Sequence, residues 1–334
     1  MNEYLIVGHG LAGAVLAHQL LERGQKVVVI EGNFTHSASG VSVGLVNPLI
    51  GPKLNPPEKI QECLAANQSF YHHCEQAWGK SFYKPISFHR IFKSKKQQFI
   101  WSIKQSDSIA GLYTGKFLSS EDWEKKGLYA PHGTGLTKSA YQLDVSSFLQ
   151  KSREKLQSVD AWESGSFSDQ TGCKKMRVIF CEGFRVIENP LFKYLPFAPA
   201  RGEVLRIHTE LKDSLSNGAW HLPCHREEAF VGSTWDHQNL MCGPTEIGKS
   251  EIFQNCNYYD LSRQPLLDHL SGVRSGTKDR NPIMGSHPKL PNRYLFNGFG
   301  SRGTSTIPYY SGKMVDFLIN QKTIPEAVNL SRFK

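Results

Sequence analysis

Gly8, Gly10 and Gly13 stand at the spacing G-x-G-x-x-G, and Glu31 follows 21 residues after Gly10. Glycines in this pattern let a chain turn tightly, approach a pyrophosphate, and pack a helix close to a strand. An acid at that distance accepts hydrogen bonds from a ribose. The chemistry implied is dinucleotide binding, with the phosphates, beside Leu11 and Ala12, on the N–H groups and positive dipole end of a helix. The bland alternative is a glycine-rich turn that binds nothing, and the flanking residues argue against it. Residues 3–7 (EYLIV) are β-prone, 11–23 form an apolar helical stretch, and 27–30 (VVVI) are a second β-rich run. Strand, turn, helix and acid are in register.

Other reactive side chains make weaker cases. His72, His73 and Cys74 are adjacent on a helical stretch and cannot all face one ion, so no metal site is expected. His9, between the first two glycines, is expected at the turn surface and outside the chemistry. His221, His225 and Asp236 fall on or beside short β runs with nothing to fix their direction, and Tyr309 and Tyr310 read as packing at the start of a last helix.

The elements that must position these groups follow from pattern. After the first βαβ half, a small-residue loop containing Ser39 and Gly40 and running to Pro48 suits close backbone approach to a ligand. Apolar spacing predicts a helix over 58–78, β-like runs around 86–92, and helices near 95–105 and 121–126. Asp144 reads as the N-cap of a helix to residue 156. Residues 176–181 form a buried-type strand that returns to the first sheet. A half-buried strand over 201–208, with runs at 219–222 and 229–232, reads as an antiparallel sheet. A β run at 294–296, a glycine-rich loop at 298–303 and a helix over 306–320 end the chain.

At 334 residues the chain should form two domains, or one with a large insertion. Seven scattered cysteines without a C-x-x-C pair fit a reducing compartment. The apolar stretch over 5–21 lacks a basic leader, and no run of about 18 apolar residues exists, so neither a signal peptide nor a membrane partner is expected. The expectation is a cytoplasmic protein. The net charge of +9 is spread over small clusters (Lys93, Lys95 and Lys96; Lys125 and Lys126; Lys174 and Lys175), which favours solvated surface charge over a nucleic-acid partner.

The glycine turn alone does not choose between NAD and FAD. Candidate strands for one cofactor sheet recur at 1–31, 176–181 and 294–297, separated by β-rich segments. That discontinuity fits two-domain flavoproteins better than the contiguous cofactor half usual in nicotinamide enzymes. The fold expected is α/β: a Rossmann-like FAD-binding domain (1–57 with 140–198 and 276–334) and an interleaved α+β substrate domain (58–139 with 199–275) built on an antiparallel sheet.

The segment 272–285 (GVRSGTKDRNPIMG), with an arginine, Thr-x-Asp and Pro-x-x-Gly, closely resembles a signature of the D-amino-acid oxidase superfamily, especially its glycine oxidase branch. Pro199-Ala200-Arg201-Gly202-Glu203 resembles that superfamily's P-x-R-G-Q strand entry, and Leu222-Pro223 and Val231-Gly232-Ser233-Thr234 its following strands. Gly300-Ser301-Arg302-Gly303 and Pro308 resemble the C-terminal flavin domain of the bifunctional tRNA wobble-uridine methylaminomethyl enzymes.

The resemblance implies a flavoenzyme that oxidises the C–N bond of an amino acid or related amine by hydride transfer to FAD. Arg274 matches the arginine that fixes the substrate carboxylate, which a guanidinium does by a planar two-pronged hydrogen bond; the alternative is an interdomain salt bridge. Arg302, near the flavin, would hold substrate or offset charge, although the family's arginine could instead align with Ser301. Trp220 stands where amino-acid oxidases often carry a tyrosine, which puts a small amino acid in doubt. Cys181-Glu182-Gly183 replaces the usual A-T-G and places a glutamate near the cofactor. Gly183, Gly300, Ser301, Gly303 and Thr304 join the N-terminal residues as cofactor contacts. No cysteine follows Cys256, so FAD is expected to be non-covalent. Two alternatives stand beside this reading: oxidation of a carboxymethylaminomethyl group on tRNA, and a flavin-binding protein without turnover.

Overall fold

The computed structural model describes residues 3–32, 34–167 and 176–333; Cys173, Lys174 and Lys175 lie outside them. The first strand, Glu3–Val7, is inside a six-stranded sheet. Lys26–Glu31 and then Trp162–Ser164 extend it on one side, and Arg177–Phe180 and then Arg293–Asn297 on the other, all parallel. Ile283–Ser286 closes that second edge in the antiparallel sense. A parallel sheet needs both faces covered. The helices Leu11–Glu22, Ile60–Trp78, Val145–Gln157 and Gly303–Asn320 contribute to the core cluster on one face, and Phe180, Phe192, Leu195 and Ile283 pack in the cluster on the other. Asp144 caps its helix as expected, accepting from the Ser147 N–H at 3.0 Å.

The second sheet has eight strands. In spatial order they are Leu266–Arg274, Ala200–His208, Glu228–Gly232, Trp220–Pro223, Ser214–Ser216, Phe88–Ile91, Thr134–Thr137 and Thr114–Leu118. Neighbours are antiparallel except Ser214–Ser216, which runs parallel to Phe88–Ile91. The expected antiparallel sheet is therefore mixed, because that junction joins two stretches distant in sequence. A small sheet of Leu45–Val46, Tyr141–Leu143 and Tyr83–Pro85 completes the β structure.

Three sequence expectations need correction. The 201–208 strand is buried on both sides over 201–205, where the unforeseen helix Glu246–Asn255 packs against it, and keeps the expected half-buried alternation only from Arg206 to His208. The stretch ending at Arg274, read only as a motif, is a nine-residue strand, Leu266–Arg274. The last helix begins at Gly303, so Tyr309 and Tyr310 lie in its second turn.

The covered side of that strand holds a buried ion cluster. Glu203 is 0 % exposed and accepts from Thr245 N–H at 2.9 Å and the Thr245 hydroxyl at 2.8 Å. Arg201 Nη2 lies 2.9 Å and His269 Nε2 2.8 Å from the same carboxylate, and Arg201 also reaches Asp236 at 3.1 Å. Removing one partner of such a cluster strands a desolvated charge. Glu203→Ala is expected to lower the unfolding free energy by about 3–5 kcal/mol, read from urea denaturation. A loss no larger than that of a surface alanine substitution would contradict this account.

Candidate active site

The carboxyl ends of four parallel strands open onto one cavity of about 830 Å³. Val7, Ile30, Phe180 and Asn297, from the ends of those strands, all line it. This is where an open α/β sheet places a ligand. At its floor, Gly8 has φ +102°, and a Cβ there would lie 2.6 Å from the Cys181 carbonyl oxygen. A Cβ on Gly13 would lie 1.9 Å from the Gly8 carbonyl oxygen. The two glycines therefore serve packing of turn, strand and helix. Gly10 is the N-cap of Leu11–Glu22 and has no side-chain cap. The Leu11 N–H donates to Ser39 Oγ at 3.0 Å, which draws the 37–41 segment onto the turn. The Glu31 carboxylate accepts from the His9 N–H, and burial raises its pKa.

The far wall comes from the end of the chain. The Gly300 N–H donates to the Ser275 carbonyl at 2.8 Å, and Asn297 Nδ2 donates to the Gly183 carbonyl at 2.9 Å. Thr304 Oγ1 donates to the Leu45 carbonyl at 3.0 Å. Gly8, Gly10, Leu11, Ala12, Glu31, Ser39, Gly183, Gly300, Ser301, Gly303 and Thr304 all line the cavity, as do Trp220, Arg274 and Arg302. Of the sequence candidates, Gly13 and Gly40 are not on its wall. Gly13 is consumed by helix–strand packing, and Gly40 turns away within the short 3-10 turn Ser39–Val41. Glu182 is in the wall too. Asn189 Nδ2 donates to its carboxylate at 2.7 Å, and burial raises its pKa, so it is paired.

Arg274 ends the edge strand of the second sheet, and its head enters the cavity wall. Nη1 donates to the Thr234 carbonyl at 3.1 Å and Nη2 to the Ser233 hydroxyl at 2.7 Å. The Trp235 ring centroid is 4.5 Å from Cζ. The Gly202 backbone also lies close: a Cβ there would be 2.2 Å from Nη2 and 2.4 Å from Cζ. Among the described residues no carboxylate pairs with Arg274. Burial lowers its pKa to about 10, so it stays protonated at neutral pH. A half-buried cation on a cavity wall without an anion is a place for a carboxylate. Arg302, by contrast, points Nη2 at the Arg280 carbonyl. Trp220 alternates with His221 along its strand: Trp220 lines the cavity, while His221 is buried against Tyr259 with Nδ1 3.0 Å from the Asp213 carbonyl oxygen. His225 and Asp236 are not in the wall either.

Sequence reasoning passed over Gly202, Ser233, Thr234 and Trp235 as a cage for Arg274. One signal was available. A glycine inside a strand, flanked by Arg201 and Glu203, marks a close approach of another group.

His9 does not lie at the turn surface. It is 8 % exposed, and its Nε2 and that of His18 both lie 2.9 Å from Ser152 Oγ. Burial lowers the pKa of His9 to about 3 and of His18 to about 4. Both rings are neutral in the folded chain, whereas an unfolded histidine titrates near 6.5. The unfolded state thus binds more protons below that pH. The stabilisation is complete above about pH 6.5 and is lost as pH falls toward 4. Acid unfolding should show this slope, and His18→Gln should flatten it; an unchanged slope would remove the histidines from the account.

A family model described as FAD dependent oxidoreductase matches residues 3–318. The chain belongs to this family. Its α/β fold, with a Rossmann-like FAD-binding region and interleaved sheets, is the fold of that family. Among curated proteins, the tRNA 5-methylaminomethyl-2-thiouridine biosynthesis bifunctional protein of Marinobacter nauticus is 23% identical over 95% of this chain and 55% of its own length. Its namesake in Idiomarina loihiensis is 23% identical over 100% of this chain and 59% of its own. The chain therefore spans little more than half of these relatives. Among solved structures, glycine oxidase from Bacillus cereus superposes with a TM-score of 0.79 at 17% identity, covering 97% of this chain and 96% of that one. Iminodiacetate oxidase from Chelativorans sp. gives 0.77 at 16% identity, over 99% and 98%. At these identities the structures speak for the fold. The cradle fits the family's cofactor: the glycine floor leaves no room for side chains, the first turn of helix Leu11–Glu22 lines the cavity at Leu11 and Ala12, and the Glu31 carboxylate lines it at the end of the second strand. Among the described residues no helix is long and apolar enough to cross a membrane.

Proposed function

We propose that this family member oxidises the C–N bond of an amino acid or related amine that carries a carboxylate, with FAD held non-covalently. The observation that carries the reading is Arg274, a caged cation without an anion on the same cavity as the glycine floor. FAD, when bound, would supply two-electron chemistry as acceptor of a hydride from the carbon beside a neutral amine nitrogen, and water would hydrolyse the iminium ion left behind. Arg274 would fix the substrate carboxylate and with it the angle of that C–H bond. Trp220 would bound the substrate side, its indole N–H the only polar atom it offers there. A neutral amine needs no strong base, and the design assigns none. Gly8, Gly10, Leu11, Ala12 and Ser39 would serve the pyrophosphate, Glu31 the ribose, and Gly183, Gly300, Ser301, Gly303 and Thr304 the remainder of FAD. Arg302 would lie toward the flavin ring. We retain the division into 1–57 with 140–198 and 276–334 for cofactor and 58–139 with 199–275 for substrate. Cys181, the cysteine on the cavity wall, is buried with its thiol pKa pushed well up, which disfavours a covalent link.

The test is anaerobic mixing of the FAD-loaded protein with a panel of carboxylated amines. Bleaching of the flavin band by at least one is expected; no bleaching by any would reject the reading and favour a flavin-binding protein without turnover. Acid precipitation should release the flavin into the supernatant.

The names of the curated relatives favour a second reading, in which the carboxylated amine is a carboxymethylaminomethyl-uridine of tRNA. Mass spectrometry of tRNA bearing that group, before and after incubation, decides it. Loss of the carboxymethyl mass is expected if the reading holds, and its persistence rejects it.

A further inference from the structure

Residues 84–120 hold six lysines and one arginine against a single acid, Asp107, so two-thirds of the net charge of +9 sits in this short stretch. The same stretch exposes Phe99 (64 %), Ile103, Ile109 and Leu112. Single exposed apolar residues are ordinary, but a group of them is not. The helix Lys95–Gln105 explains the grouping. Trp101 is its buried anchor, and Phe99 and Ile103, four residues apart, share the opposite face with Lys96. The short 3-10 turn Ala110–Leu112 packs on this helix and buries Ala110, which leaves Ile109 and Leu112 outside. Lys104 is 3.7 Å from Asp107. Lys95, Lys96 and Lys116 have no ion-pair partner among the described residues.

We propose that this face docks the protein on the surface of an anionic lipid bilayer, lying on it rather than crossing it. Phe99 and Ile103 would enter the headgroup boundary while lysine stems lie along it with their ammonium groups on lipid phosphates and carboxylates. Charge and composition choose this occupant. A protein interface core excludes lysine, and a nucleic acid rewards cations and stacking rings but gains nothing from exposed isoleucine and leucine. The strand Thr114–Leu118 beside this patch is the edge of the eight-stranded sheet opposite the strand that carries Arg274. The patch and the cavity can therefore be altered independently.

The experiment is flotation of the FAD-loaded, full-length protein with vesicles of phosphatidylcholine alone or of phosphatidylcholine mixed with phosphatidylglycerol. Binding to the mixed vesicles, weakened by salt, is expected, with little to the neutral ones. Phe99→Glu with Ile103→Glu should weaken it at least tenfold (about a tenfold loss being the floor for two buried apolar side chains). Lys95→Ala with Lys96→Ala should weaken it about twenty-fivefold, from about 1 kcal/mol per lysine near the surface. Flavin content and amine-driven flavin bleaching, or its absence, should match the parent in all variants. Equal flotation of parent and variants would overturn the proposal. So would equal binding to neutral vesicles, or a tighter, salt-sensitive complex with RNA that the same substitutions abolish.

Discussion

Gly202→Ala is expected to cost about a hundredfold or more in kcat/KM for a carboxylated amine while leaving FAD bound. The reason is steric and local. A Cβ at this position would lie 2.2 Å from Nη2 and 2.4 Å from both Cζ and Nη1 of Arg274, far inside van der Waals contact. The strand cannot yield easily: its neighbours Arg201 and Glu203 are tied into the buried ion cluster behind it. The guanidinium must leave its place between Gly202 and the Trp235 ring and give up Ser233 and Thr234. Two charge-assisted hydrogen bonds to a carboxylate are worth on the order of 3 kcal/mol together, which is about a hundredfold. The loss should appear mainly in KM, and Arg274→Ala should reproduce it. Gly202→Ala combined with Arg274→Ala should then be little worse than either alone, since both remove one interaction. Steady-state kinetics with the flavin spectrum as control decides the matter. Parental KM in Gly202→Ala would show that the guanidinium does not bind the acid from this position.

Gly13→Val should yield a protein without flavin. Even the first carbon of that side chain would stand 1.9 Å from the Gly8 carbonyl oxygen and 3.3 Å from Ile6 Cγ2. Backbone cannot swing aside as a side-chain tip does. Helix Leu11–Glu22 would have to retreat from the first strand, carrying its N-terminal N–H groups away from the cavity. The phosphate cradle depends on that approach. A fall of at least about a hundredfold in FAD affinity is expected, seen as a colourless preparation that flavin titration does not restore. A circular dichroism spectrum like the parent's would separate this from general unfolding, because Gly13 lies where helix Leu11–Glu22 packs on the first sheet. A yellow, fully loaded Gly13→Val protein would refute the account.

Much of the cofactor half was legible because its signals are local. Gly8, Gly10, Gly13 and Glu31 act through a turn and two adjacent strands, and period-two and helical apolar patterns name those elements directly. Arg274 was legible only through the 272–285 resemblance, since no periodicity marks it. The cage around it was not legible. Gly202 comes from the strand that pairs with the Arg274 strand, and Ser233, Thr234 and Trp235 from the segment that follows the next strand over, Glu228–Gly232, all at long sequence separations. The His9–Ser152–His18 cluster escaped for the same reason: Ser152 is 143 residues from His9, and nothing near His9 announces that its ring turns inward.

By itself, then, the order of residues settled which segments become strand or helix near the amino end, and it pointed to a phosphate cradle there and to Arg274 as the guanidinium to look for. Only the tertiary structure decided that this guanidinium is left without an anion, that Glu182 is paired, and that Gly40 faces away. The physical reason is the range of the forces. Turn and helix preferences are set over a few neighbouring residues, whereas burial, ion pairing and cavity shape depend on which distant strands the sheet register brings side by side.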